Sequence, residues 1–218
     1  MCLILVAWKA SPAYPLVVAA NRDEFHARPA APVAFWEDRP GILAGRDLEA
    51  RGTWMGISRD GRFAAVTNYR GALEARAAES RGALVTRFLE NAQPAADYIA
   101  RLVPRCCDYS GFNLLASDGE ALWWISNRGG EPRRLEPGIY GLGNALLDSP
   151  DVEPRKRRFE QAIERGVAVE PLFSVLAEAR IVDPVYGTRC STVHFGRRYA
   201  ERAFSSDGAE HETLHYEF

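Results

Sequence analysis

Apolar residues run without a break over Leu3-Ile4-Leu5-Val6-Ala7-Trp8 and resume at residues 15–21, after the turn residues Ser11-Pro12-Ala13-Tyr14. Two short apolar segments split by a turn predict a pair of strands. The device recurs along the chain. Residues 53–58 and 63–68 flank Asp60-Gly61, a two-residue hairpin signal, and residues 112–117 and 121–126 flank Asp118-Gly119-Glu120. A strand or turn is expected at 138–144. Strands are expected at 191–196, 199–205 and 213–218, with Asp207-Gly208 as a turn. Helical spacing takes over in two blocks, 81–90 with 94–103 and 154–165 with 170–179. Leu84, Val85, Phe88 and Leu89 share one helix face, as do Phe159, Ala162 and Ile163. Ser80 suits an N-cap and Pro94 a first helical position. Residues 39–51 read as a long surface loop. Strand pairs separated by helix pairs predict antiparallel sheets with helices packed outside them, in one domain over 1–218.

Composition narrows the function classes. Of 218 residues, 47% are hydrophobic and 26% charged, the balance of a soluble globular chain. Lys and Arg total 27 against 29 Asp and Glu, a net charge of −2, which argues against a nucleic-acid footprint. The basic run Arg155-Lys156-Arg157-Arg158 reads as a solvated helix face. No apolar stretch approaches the ~18 residues of a membrane span. The N-terminus has no basic leader, and Lys9, Pro12 and Pro15 interrupt its apolar run, so no secretory signal is expected. The cysteines, Cys2, Cys106, Cys107 and Cys190, fit no zinc or haem-attachment spacing, and a reducing cytoplasm is the expected location. His26, His194, His211 and His215 show no metal-ligand spacing.

Chemistry concentrates near the start of the chain. Removal of Met1 would make Cys2 the first residue, carrying a thiol and a free α-amino group together. Such an amine titrates near ~7.7–8.0 and a free thiol near ~8.5, so one residue would hold a nucleophile and its base. Asn21-Arg22-Asp23-Glu24-Phe25 ends the second predicted strand, and four polar residues in a row do not alternate into a core. If the first two strands form a hairpin, residue 2 lies opposite residue 22 or 23. Arg22 would then lower the thiol pKa, and Asp23 would hold the α-ammonium. The alternative is a surface turn with a local ion pair. Asn68-Tyr69 and Asn144 carry amide and hydroxyl donors of the kind that stabilise an oxyanion, or else serve as turn residues. Arg189 offers a second cation for a substrate carboxylate, or a partner for an acid near Asp183. Cys190 reads as a packed small hydrophobe.

Several separated motifs then coincide. Met1-Cys2 before an apolar strand and Ala20-Asn21-Arg22-Asp23-Glu24-Phe25 are followed by Gly52-Thr53-Trp54-Met55-Gly56-Ile57 and Thr67-Asn68-Tyr69. Ser80-Arg81-Gly82 with Leu84-Val85, Gly111-Phe112-Asn113-Leu114, Gly143-Asn144-Ala145-Leu146-Leu147-Asp148-Ser149-Pro150 and Tyr186-Gly187-Thr188-Arg189 complete the set. In this order they resemble the NRDE family, also called the transport and Golgi organisation protein 2 family. That family is similar to cysteine N-terminal-nucleophile hydrolases such as penicillin V acylase and bile-salt hydrolase. The resemblance implies an α+β fold, a four-layer αββα sandwich of two stacked antiparallel sheets flanked by helices. It implies Cys2 as nucleophile, Asp23 and Arg22 as its acidic and basic partners, Asn68, Tyr69 and Asn144 at the oxyanion, and Arg189 completing the site. Arg22 departs from the hydrolase pattern, which sets its arginine before the asparagine. Arg51-Gly52 stands where the family often has paired glycines. The expected function is an N-terminal cysteine amidohydrolase or thioesterase acting on an acyl amide or thioester, with no cofactor required. The alternative, from the family's links to haem trafficking, acyl metabolism and secretory organisation, is a non-catalytic binding protein for haem or an acyl ligand.

Overall fold

The computed structural model describes residues 2–71 and 77–218. Met1, and with it the expectation of its removal, lies outside the described residues. In chain order the elements are β1 (Leu3–Trp8), β2 (Leu16–Phe25), β3 (Ala30–Phe35), β4 (Ile42–Asp47), β5 (Met55–Ser58), β6 (Phe63–Asn68), α1 (Gly82–Glu90), α2 (Ala95–Leu102), a 3-10 turn (Val103–Asp108), β7 (Phe112–Ser117), β8 (Leu122–Ser126), β9 (Arg133–Leu135), β10 (Gly138–Leu142), α3 (Glu153–Arg165), α4 (Val169–Ala177), β11 (Tyr186–Phe195), β12 (Arg198–Phe204) and β13 (Glu210–Glu217). The chain divides into two compact units.

The first unit takes the chain up to Arg28, Glu136–Gly143 and Leu147–Phe218. Its sheet is antiparallel, with strand order β10-β1-β2-β11-β12-β13. All six residues of β1 are buried, which explains why its sequence is a continuous apolar run rather than an alternation. Leu3, Leu5 and Ala7 of β1 and Val17 and Ala19 of β2 pack on Phe159 and Ile163 of α3 and on Leu172 and Leu176 of α4. The basic run lies on α3 as a solvated face. There Lys156 pairs with Asp148 at 3.0 Å, Arg157 with Glu153 at 3.1 Å, and Arg158 with Glu178.

The second unit takes Pro29–Leu135 and Asn144–Leu146. Its seven strands follow sequence order across the sheet, β3-β4-β5-β6-β7-β8-β9. The expected apolar face of α1 (Leu84, Val85, Phe88, Leu89) is buried with Ile99 of α2 against Ala64, Leu114 and Ala116 of the sheet. The expected cap is corrected: Arg81 holds the N-cap position without a side-chain cap, and the Ser80 hydroxyl accepts the Gly82 amide at 3.3 Å from one residue further out. The Asp60-Gly61 hairpin turns through Gly61 at φ 86°, a conformation that costs only glycine little.

The expected surface loop over 39–51 is overturned. It holds β4, whose first four residues are buried. Its apolar signal is weak because two of those residues, Ala44 and Gly45, are small, and a Cβ on Gly45 would collide with the Trp54 ring. β3 escapes notice for a related reason. Pro32 argues against a strand, yet β3 is an edge strand with an irregularity between Ala31 and Ala34, where proline is tolerated. Among the described residues no helix is long and apolar enough to cross a membrane.

Candidate functional site

The β1–β2 register ends at Leu3↔Asn21, so the next residue outward sets Cys2 against Arg22, as the hairpin arithmetic predicts. The polar run does not leave the strand. β2 continues to Phe25, and Asn21, Arg22 and Asp23 are only 2%, 7% and 3% exposed. Polar groups withstand such burial when hydrogen-bonded. Asn21 Nδ2 donates to the Leu176 carbonyl at 2.9 Å, and its Oδ1 accepts from the Ser191 hydroxyl at 2.6 Å. Asp23 Oδ1 accepts from Thr188 Oγ1 at 2.6 Å, and Arg22 lies 4.0 Å from Glu24.

Cys2 is half-buried, and its Sγ donates to the Asp23 carbonyl at 3.4 Å. Burial, and after it the Asp23 charge, pushes the thiol above its ordinary pKa. A backbone hydrogen bond at Asp23 and the Arg22 guanidinium pull the other way. At rest the sulfur is therefore a protonated thiol, and attack on a carbonyl needs a base. The Tyr186 hydroxyl donates to the same Asp23 carbonyl at 3.3 Å.

Arg189 occupies the irregularity between Thr188 and Cys190, where β11 slips register against β2. Its Nη1 donates to the carbonyls of Phe25 at 3.0 Å, His26 at 3.3 Å and Arg28 at 3.1 Å. Desolvation, and then the Arg22 charge, lowers its pKa. Asp183, the neighbourhood considered for an ion pair with Arg189, accepts the Val185 and Tyr186 amides instead. Cys190 is a buried thiol raised well above its ordinary pKa, first by burial and then by the Glu201 charge, in keeping with packing.

The asparagines group on the second unit. Asn144 Nδ2 donates to the Asn68 carbonyl at 2.8 Å, and the Asn144 carbonyl accepts the Arg70 amide at 2.7 Å. The Tyr69 amide donates to Gly111 O at 2.9 Å. The structure thus brings Cys2, Arg22 and Asp23 together on one unit, with Arg189 close enough for the two guanidinium charges to interact. It brings Asn68, Tyr69 and Asn144 together on the other. Among the described residues no cluster of three or more His, Cys, Asp or Glu could hold a metal ion.

Sequence reasoning assigned no role to Thr188, Tyr186 or Ser191. Their link to β2 spans 163 to 170 residues, and only the β2–β11 register reveals it. The one available signal is that Tyr186 and Thr188 stand beside Arg189 in the same motif.

The chain is similar to known proteins in sequence and in fold. Residues 1–185 match the family model described as Transport and Golgi organisation 2. A Transport and Golgi organization protein 2 homolog of Bos taurus is 38% identical, covering 96% of this chain and 82% of its own length. The Homo sapiens homolog is 34% identical over 100% and 99%. Penicillin V acylase from Agrobacterium tumefaciens matches in structure with a TM-score of 0.59 at 13% identity, covering 100% of this chain and 86% of that one. A variant of conjugated bile acid hydrolase from Clostridium perfringens gives 0.59 at 9% identity, over 100% and 97%. These structures share the fold of N-terminal-nucleophile hydrolases, so the α+β class expected from sequence holds. The family match over most of the chain, together with relatives at this level of identity, shows that the chain belongs to the Transport and Golgi organisation 2 family.

Proposed function

We propose that this protein, once Met1 is removed, is an N-terminal cysteine hydrolase that cleaves an acyl amide or thioester through Cys2. The observation that carries this reading is the residue-2 thiol seated on the Asp23 carbonyl, with the Asp23 carboxylate and the Arg22 guanidinium both acting on its proton. A fold shared with proteins named penicillin V acylase and conjugated bile acid hydrolase supports it.

The chemistry follows from a protonated thiol. The Cys2 α-amine takes the Sγ proton while Sγ bonds to the substrate carbonyl carbon, and the carbonyl oxygen becomes an oxyanion. As the tetrahedral intermediate collapses, the α-ammonium gives that proton to the departing nitrogen or sulfur, and the C–N or C–S bond breaks. A thioester to Cys2 remains. Water, deprotonated by the α-amine, attacks it, and the acid leaves as Sγ regains a proton. Asp23 orients the α-ammonium throughout, and Arg22 eases formation of the thiolate.

Mass spectrometry of purified protein, combined with an amide and thioester substrate panel, tests this. Active material is expected to begin at Cys2, and Cys2→Ala is expected to lower turnover at least ~10³-fold. Intact Met1 in fully active protein would end the free-amine mechanism. Absence of turnover across the panel, with haem or acyl-ligand binding retained in Cys2→Ala, would favour a carrier on the same scaffold.

A further inference from the structure

We infer that the start of β11 is a clamp on Asp23, with Thr188 a positioning residue that fixes the carboxylate beside Cys2 and Tyr186 one that holds the Asp23 main chain. This rests on the reading of Cys2 as the nucleophile. Tyr186 pairs with Phe25 and Thr188 with Asp23 in the β2–β11 ladder, so the two side chains, two residues apart, project from one face of β11.

The Thr188 hydroxyl has its direction set by its surroundings. Its oxygen accepts the Ile181 amide at 2.9 Å, and the Thr188 amide returns a bond to the Ile181 carbonyl at 2.9 Å. A threonine hydroxyl has one proton to give. With the Ile181 amide occupying its acceptor side, that proton goes to Asp23 Oδ1 at 2.6 Å. The carboxylate is thereby held in one rotation by a group on another strand.

Tyr186 secures the backbone of the same residue, donating to the Asp23 carbonyl at 3.3 Å while its ring meets Phe25 edge-on at 5.1 Å. The carbonyl also accepts the Cys2 thiol. When the thiol proton leaves during attack, the Tyr186 hydroxyl remains as a donor to that carbonyl, so the strand end keeps its geometry while the sulfur moves. Beyond Thr188 the register slip re-aims Arg189 onto the carbonyls of residues 25, 26 and 28, a common use of bulges near sites. The strand end carrying Asp23 is therefore anchored from Tyr186 through Arg189.

The charged side chains acting on the Cys2 thiol are Asp23 and Arg22 of β2. Asp23 raises the thiol pKa from its present position, so a carboxylate that swings away from the thiol once Thr188 no longer holds it lowers that pKa. The test follows the pH dependence of Cys2 alkylation by iodoacetamide in a Cys106→Ser, Cys107→Ser background, where the remaining cysteine, Cys190, is buried. Thr188→Val is expected to lower the alkylation midpoint toward that of Asp23→Asn, and Thr188→Ser to restore it. With a turned-over substrate, Thr188→Val is expected to cut kcat by about 10–10²-fold at nearly constant KM. Thr188→Ala, which adds no apolar branch, gives a second reading should Val prevent folding. An unchanged midpoint in folded Thr188→Val or Thr188→Ala overturns the clamp. The expected midpoint shift without turnover of any amide or thioester supports the clamp and rejects the hydrolase reading.

Discussion

At the residue scale, burial decides how each ionisable group behaves. His194 is almost wholly buried, stacks on Phe218, and has Nδ1 3.0 Å from the Arg198 carbonyl, which fixes the proton on that nitrogen. Burial pushes its pKa down to about 4 from an ordinary 6.5. In that interval the unfolded chain binds a proton that the native state refuses, so stability rises with pH. The contribution is complete above pH ~6.5 and is lost as pH falls toward ~4, by up to about 3 kcal/mol. Urea denaturation at pH 7 and pH 4.5 should show that His194→Gln loses less stability on acidification than the parent. Equal losses would mean that His194 protonates freely in the native state. The same scale shows what was readable in the chain. Counting residues from the turn near residue 12 set Cys2 against residue 22 or 23, because hairpin register is local. The Thr188 hydroxyl on Asp23 was not readable, because the two residues are 165 positions apart and meet through a long-range strand pairing.

At the level of elements, the helices and hairpins were legible because their signals are short-range. A 3.6-residue apolar period, or a glycine between two apolar runs, is complete within a dozen residues. β3 and β4 were not legible, because a proline on an edge and an Ala-Gly pair in a core erase the apolar count that marks a strand. Small residues often report a close approach rather than a loop, and Gly52 makes the point. A Cβ there would sit 2.6 Å from the Gly82 carbonyl carbon at the start of α1. Both partners are backbone, so the loop before β5 and the helix start would have to separate. Gly52→Ala should destabilise the protein by about 1–3 kcal/mol in denaturant titrations, with the slope unchanged. A neutral effect would show that α1 can shift without cost.

For the whole molecule, the alternation of strand pairs and helix pairs pointed to antiparallel sheets with helices outside and the family resemblance implied the α+β sandwich, whereas strand order could not be read from composition or period. β2 lies between β1, a short turn away, and β11, which begins more than 160 residues later. Long-range pairing of this kind makes folding slow. Stopped-flow refolding followed by tryptophan fluorescence should show a principal phase of milliseconds to seconds or slower, and a microsecond phase carrying the full amplitude would contradict this. During synthesis the order of events is stricter still. β1 and β2 leave the ribosome together, and β11 follows only after the many residues between them. The buried polar run on β2 therefore stays half-paired until residues 186–195 have been made and added beside it.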